Sequence, residues 1–88
     1  MTQHDYTKVI IDEINSLLLD EIGPAALILT EEAEVEWTSE LTKLKLRKNL
    51  RSVLVYVNII SLYIEDIPSR ESFLKTVYEI NGLKGYKL

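Results

Sequence analysis

Apolar residues first recur at helical spacing between Tyr6 and Ile22, at Val9, Ile10, Ile14, Leu17, Leu18 and Ile22. Asp12, Glu13, Asp20 and Glu21 fall between them, so this segment is predicted to be an amphipathic helix with Asp5 as its N-cap. Gly23-Pro24 is its stop, because glycine tolerates the left-handed backbone past a helix and proline cannot continue one. Pro24 also suits the first position of a second helix, where Ala26, Leu29, Ala33 and Trp37 form a stripe flanked by Ile28 and Val35. A β-hairpin over 24–38 turning at Glu31-Glu32 is the competing reading. The turn has no Gly, Asn or Asp, which favours the helix.

Thr38-Ser39 reads as a break, after which Leu46, Leu50, Val53, Val57, Ile60, Ile64 and Ile67 recur at alternating steps of four and three. That spacing is the heptad seam of a helix. Leu54, Ile59, Leu62 and Tyr63 make a second stripe, and from Val53 to Ile64 only Asn58 and Ser61 interrupt the apolar residues. A helix apolar on all sides must be surrounded, by its own chain or by another. Ile67-Pro68 closes it, since the residue before proline is pushed out of the helical region. Ser69 then caps a last helix through Phe73, Leu74, Val77, Tyr78 and Ile80, ending at Asn81-Gly82. The expected fold is all-α, a single domain over 1–88, with about four helices and a long apolar central one. The alternative is α+β with the hairpin at 24–38.

Composition narrows the chemistry. With 88 residues and no cysteine, the chain has neither disulfides nor thiolate metal sites to staple a small core. Its 47% hydrophobic content leaves an apolar core and self-association as the sources of stability. The start of the chain carries no basic segment followed by an apolar run, and the central apolar run is shorter than the roughly 20 residues a span needs. A cytoplasmic protein with no membrane partner is therefore expected. His4 is the single histidine, so neither Ser-His nor Cys-His nucleophile pairs nor transition-metal ligand sets can be built. Glu31, Glu32, Glu34, Glu36 and Glu40 lack the spacing of a calcium loop, and the three glycines are too scattered for a phosphate loop. No enzyme activity, cofactor, metal or small-molecule substrate is expected.

Charge changes the picture more. Residues 1–40 hold ten acids and one base, and residues 41–88 hold nine bases and four acids, splitting the net −4 into −9 and +5. Lys43, Lys45, Arg47, Lys48 and Arg51 fall within nine positions. The simplest expectation is that the halves face each other and neutralise within one fold. Nucleic-acid binding through 43–51 is an alternative. The sequence pI of about 4.9 counts against it, since the footprint of such a domain is basic.

Two blocks, Ile22-Gly23-Pro24-Ala25 and Ile64-Glu65-Asp66-Ile67-Pro68-Ser69-Arg70-Glu71-Ser72-Phe73-Leu74, carry a resemblance. They are similar to the Ile-Gly-Pro junction and Ile-x-Asp-x-x-x-Arg-x-x-Phe-Leu pattern of short helical domains appended to bacterial kinases, response regulators and similar signalling proteins. The resemblance implies protein–protein contact in signalling and no catalytic residues. In its hairpin form the chain would instead resemble small dimerisation domains of the roadblock type. Either way the expectation is a non-catalytic interaction module, homodimeric, that binds a protein partner. Val53, Val57, Ile60 and Ile64 are read as dimer seam or monomer core, with Arg47, Lys48 and Arg51 as a polar rim.

Overall fold

The computed structural model describes the backbone of residues 3–80 and 83, and side chains from residue 7 onward. Asp5 lies inside the first helix, which already begins at Gln3, and so is not its N-cap, and the last helix ends at Val77, short of the expected stop at Asn81-Gly82. Positions 81 and 82 and the His4 side chain lie outside what is described. Four helices follow one another: α1 (Gln3–Ile22), α2 (Ala25–Leu44), α3 (Val53–Leu62) and α4 (Ile67–Val77). The fold is an all-α bundle. Helix α1 packs against the other three, α2 lies mainly on α3 and α1, and α4 covers α1 and α3.

Gly23 ends α1 as the sequence predicts, at φ 79°, with its N–H donating to the Leu19 carbonyl at 2.8 Å. Pro24 sits one place earlier than expected, as the N-cap of α2. No hairpin forms at 24–38. The predicted break at Thr38-Ser39 is also absent, and α2 runs straight through it. The Thr42 hydroxyl donates to the Thr38 carbonyl at 2.9 Å, the i−4 bond that lets a hydroxyl residue stay inside a helix.

The long central helix is the principal correction. A helix over 41–67 would be about 40 Å long at 1.5 Å per residue. The molecule measures 32 Å along its longest axis, so such a helix would leave much of its apolar surface uncovered. Instead α2 stops at Leu44. Lys45 takes a left-handed conformation at φ 58°, its N–H donating to Thr42 and that of Leu46 to Leu41. This is a Schellman stop, made with lysine where glycine is usual. The next start is encoded at Asn49 and Ser52. The Ser52 N–H donates to Asn49 Oδ1 at 3.0 Å, and the Asn49 N–H donates to Ser52 Oγ at 2.9 Å. That reciprocal pair has the logic of a capping box. The chain thus turns back, and α3 is wrapped by its neighbours.

A second correction concerns the entry to α4. Asp66, not Ser69, is the N-cap: its carboxylate accepts from the Ser69 N–H at 3.0 Å and the Ser69 hydroxyl at 2.7 Å. Pro68 belongs to the first turn of α4 rather than closing α3, which ends at Leu62. Arg70 reaches back, donating from Nε and a terminal nitrogen to the Ile64 carbonyl at 3.1 and 2.8 Å. Ile64 and Phe73 are both buried, so the pattern over 64–74 works as a corner joint.

The Ser69 bonds hold the Asp66 carboxyl below the usual aspartate range. A carboxyl lowered on folding stabilises the folded state above its unfolded pKa of about 3.9 and loses that contribution as pH falls through the folded value. Asp66→Asn keeps a capping oxygen but cannot titrate. Acid denaturation curves of the two proteins should therefore converge as pH drops below about 4. A gap of constant size down to the acid transition would show that the charge at this cap contributes nothing.

The core is built from Ile10, Ile14 and Leu18 of α1, Ala33, Trp37 and Leu41 of α2, Val53, Tyr56, Val57 and Ile60 of α3, then Ile64, Phe73 and Val77. Tyr56 is enclosed, and its hydroxyl donates to Asn15 Oδ1 on α1 at 2.6 Å. Burial, reinforced by the Glu34 carboxylate, pushes that phenol well above the ordinary tyrosine range. Among the described residues no buried side-chain polar atom lacks a partner.

Candidate interaction surface

The residues expected to form a seam are core. Val53, Val57, Ile60 and Ile64 are all buried within the single chain, against α1, α2 and α4. Of the two alternatives open from periodicity, the structure holds the monomer core. A side chain covered by its own fold has no surface to offer a second copy.

The exposed apolar surface lies elsewhere. Helix α2 buries Ala26, Thr30, Ala33, Trp37 and Leu41, steps of three and four that keep one stripe inward. At 100° per residue the opposite stripe is Ile28, Glu31, Glu32, Val35, Thr38, Ser39 and Thr42, and all seven are exposed. Val35 at 72% and Ile28 at 64% are the most exposed large apolar side chains among the described residues. Beside Val35, towards the C-terminal half of the helix, Glu34, Val35, Thr38 and Ser39 line an open depression.

The basic cluster occupies the corner between α2 and α3. Lys43 stands in the last turn of α2, and Lys45, Arg47, Lys48 and Arg51 follow in the connection, all exposed. Arg47 and Arg51 border a cleft of about 400 Å³ that is walled by Leu46, Asn49, Ser52 and Val55. Trp37 ties this corner to α2. Its indole Nε1 donates to the Ser52 carbonyl at 2.9 Å, its ring meets Tyr56 at 5.3 Å with a 58° tilt, and the Lys48 ammonium lies 5.1 Å above it. A lysine over an indole face gains about 0.5–1 kcal/mol at an exposed site.

The acids and bases do not neutralise each other as expected. Among the described residues the single ion pair is Lys8–Asp12, at 3.9 Å and highly exposed, and such pairs contribute little. Glu36 is instead engaged by the Tyr63 hydroxyl, which donates to its Oε1 at 2.8 Å, and that bond raises the Tyr63 pKa. None of Glu31, Glu32, Glu34 and Glu40 is ion-paired with Lys43, Lys45, Arg47, Lys48 or Arg51. The connection folds back far enough to bring Lys48 over Trp37 and into one groove with Glu34, and Lys48 and Glu34 form no ion pair there.

A groove of about 350 Å³ between α1 and α2 mixes Lys8, Asp12, Glu34 and Lys48 around Ile11 and Trp37. Its charges alternate in sign without converging on one point. Among the described residues no three acidic or histidine side chains gather as a metal site. No helix there is long and apolar enough to cross a membrane. No protein-family model, curated protein or solved structure matches the chain.

Sequence reading missed the outward face of α2 because it broke the helix at Thr38-Ser39. Once α2 is continued to Leu44, Ile28, Val35 and Thr42 stand seven residues apart, a visible signal.

Proposed function

We propose that this chain is a non-catalytic protein–protein interaction module that works as a homodimer in bacterial cytoplasmic signalling. One observation carries the reading. The chain keeps an exposed strip of acids with Ile28 and Val35 among them, next to an exposed basic corner, and among the described residues no ion pair joins the two. Apolar side chains framed by unsatisfied charge are what a docking surface offers. The likeness of 22–25 and 64–74 to domains appended to signalling proteins supports the setting. The nucleic-acid alternative keeps its five cations but loses the helix that would carry them into a groove, because Arg47, Lys48 and Arg51 lie in a connection.

The test is absolute mass in solution, by light scattering behind a sizing column over a range of concentrations. A mass rising towards twice the 10.2 kDa of the chain is the expected result. A mass of one chain at every concentration removes the homodimer.

A further inference from the structure

Resting on the reading of an interaction module, we propose that the cleft at Arg47 and Arg51 binds an acidic segment of a protein partner, one with an apolar residue set among its carboxylates.

The cleft is built where the chain turns from α2 into α3. Its volume is about 400 Å³, and Leu46, Arg47, Asn49, Arg51, Ser52 and Val55 line it. That is the small end of the range for binding clefts, about 300–1,000 Å³, so it suits a short stretch of side chains. No carboxylate stands among its lining residues, although the chain carries 14 acids. Arg47 and Arg51 are exposed, and among the described residues neither is ion-paired. A guanidinium presents a fork of donors that matches a carboxylate, and two of them on one cleft select an acidic ligand. Lys43, Lys45 and Lys48 of the same corner add to the positive field that steers such a ligand in.

The start of α3 is not the anion site. The Val53 and Leu54 N–H groups donate to the Asn49 and Arg51 carbonyls, and that of Ser52 donates to Asn49 Oδ1. The guanidiniums therefore supply the donors.

The walls favour a peptide over a nucleic acid. Leu46 is half-exposed, and Val55 joins it in the lining. A phosphodiester backbone gains from the cations and nothing from an apolar wall. A leucine flanked by glutamates covers the wall and meets the cations in one contact.

Trp37 reports on the site. It is the one tryptophan of the chain, and its indole donates to the carbonyl of Ser52, which lines the cleft. A ligand that presses on Ser52 alters the surroundings of the indole and with them its fluorescence.

The test is titration of the whole chain with the end-blocked peptide Glu-Glu-Leu-Glu-Glu, followed by tryptophan fluorescence. The expected result is a saturable change that weakens as salt is raised. The peptide Glu-Glu-Ala-Glu-Glu should bind about tenfold or more weakly, because it lacks the apolar group that covers Leu46 and Val55. Replacing both arginines, Arg47→Ala with Arg51→Ala, should weaken binding about tenfold or more. Leu46→Ser should erase the preference for leucine over alanine. All three positions are exposed, and circular dichroism checks that each variant folds. Equal binding of the two peptides, or no loss on removing the arginines, overturns the proposal. Single-stranded DNA that binds more tightly than the leucine peptide, and is lost with the arginines, overturns it in favour of a nucleic acid. A wild-type dimer that dissociates when the arginines are removed puts a second copy in the cleft, which overturns the proposal and leaves the homodimer standing. A chain that stays monomeric yet binds the leucine peptide upholds the cleft and removes the homodimer.

Discussion

Ile60→Asp should leave a chain that does not fold, and it should not yield separated, folded monomers. Ile60 has no exposed surface and belongs to the core, in the last turn of α3, the helix that packs against α1, α2 and α4. Removing the side chain alone, as in Ile60→Ala, costs about 2–5 kcal/mol through lost burial and the cavity left behind. Aspartate adds a carboxylate with no cation nearby in the core, and an unpaired buried charge costs several kcal/mol more. A domain of this size has a total stability of about 4–13 kcal/mol. The sum therefore takes most or all of it. Far-UV circular dichroism should show loss of helix for Ile60→Asp, and urea melts should show a cooperative but weakened fold for Ile60→Ala. A folded, monomeric Ile60→Asp chain would return this residue to an interface between copies and contradict the packing of α3.

Trp37→Ala is the second large effect. The indole is buried, packs on Tyr56, donates to the Ser52 carbonyl and carries Lys48 on its outer face. Truncation of a buried tryptophan costs about 3–5 kcal/mol. The loss falls at the joint between α2 and the start of α3, so the basic corner should loosen as well as the core. Trp37→Phe separates the two contributions. It keeps most of the apolar volume and loses the hydrogen bond, worth about 1 kcal/mol, which for a domain of this size lowers Tm by roughly 4–8 °C. Thermal melts by circular dichroism measure both. Equal losses for the two variants would mean that the indole N–H, and not the ring, holds the corner.

Both results depend on α2 being one uninterrupted helix and α3 a separate, wrapped one, and here sequence and tertiary structure divide their work. The α1 stripe, the Gly23 stop and the all-α class follow from local rules. Apolar spacing of three and four selects a helix, and a glycine at positive φ ends it without a Cβ clash. The apolar identity of Val53, Val57, Ile60 and Ile64 is local too. Their role is not, because periodicity marks which face is buried and is silent about what buries it. The heptad over Leu46 to Ile67 looked continuous although its first two members lie in a connection and its last is exposed at the start of α4. What breaks it is the Asn49–Ser52 pair, the left-handed Lys45 and the Asp66 cap, polar bonds with a weak signal in an apolar pattern. The outward face of α2 became legible only once the helix was seen to run through Thr38-Ser39 to Leu44. The chain alone therefore determined that there would be helices, roughly where they turn, and which residues would avoid water. Only the tertiary structure decided which helix shields α3 and which face of α2 is left uncovered, because both depend on contacts between residues far apart in sequence.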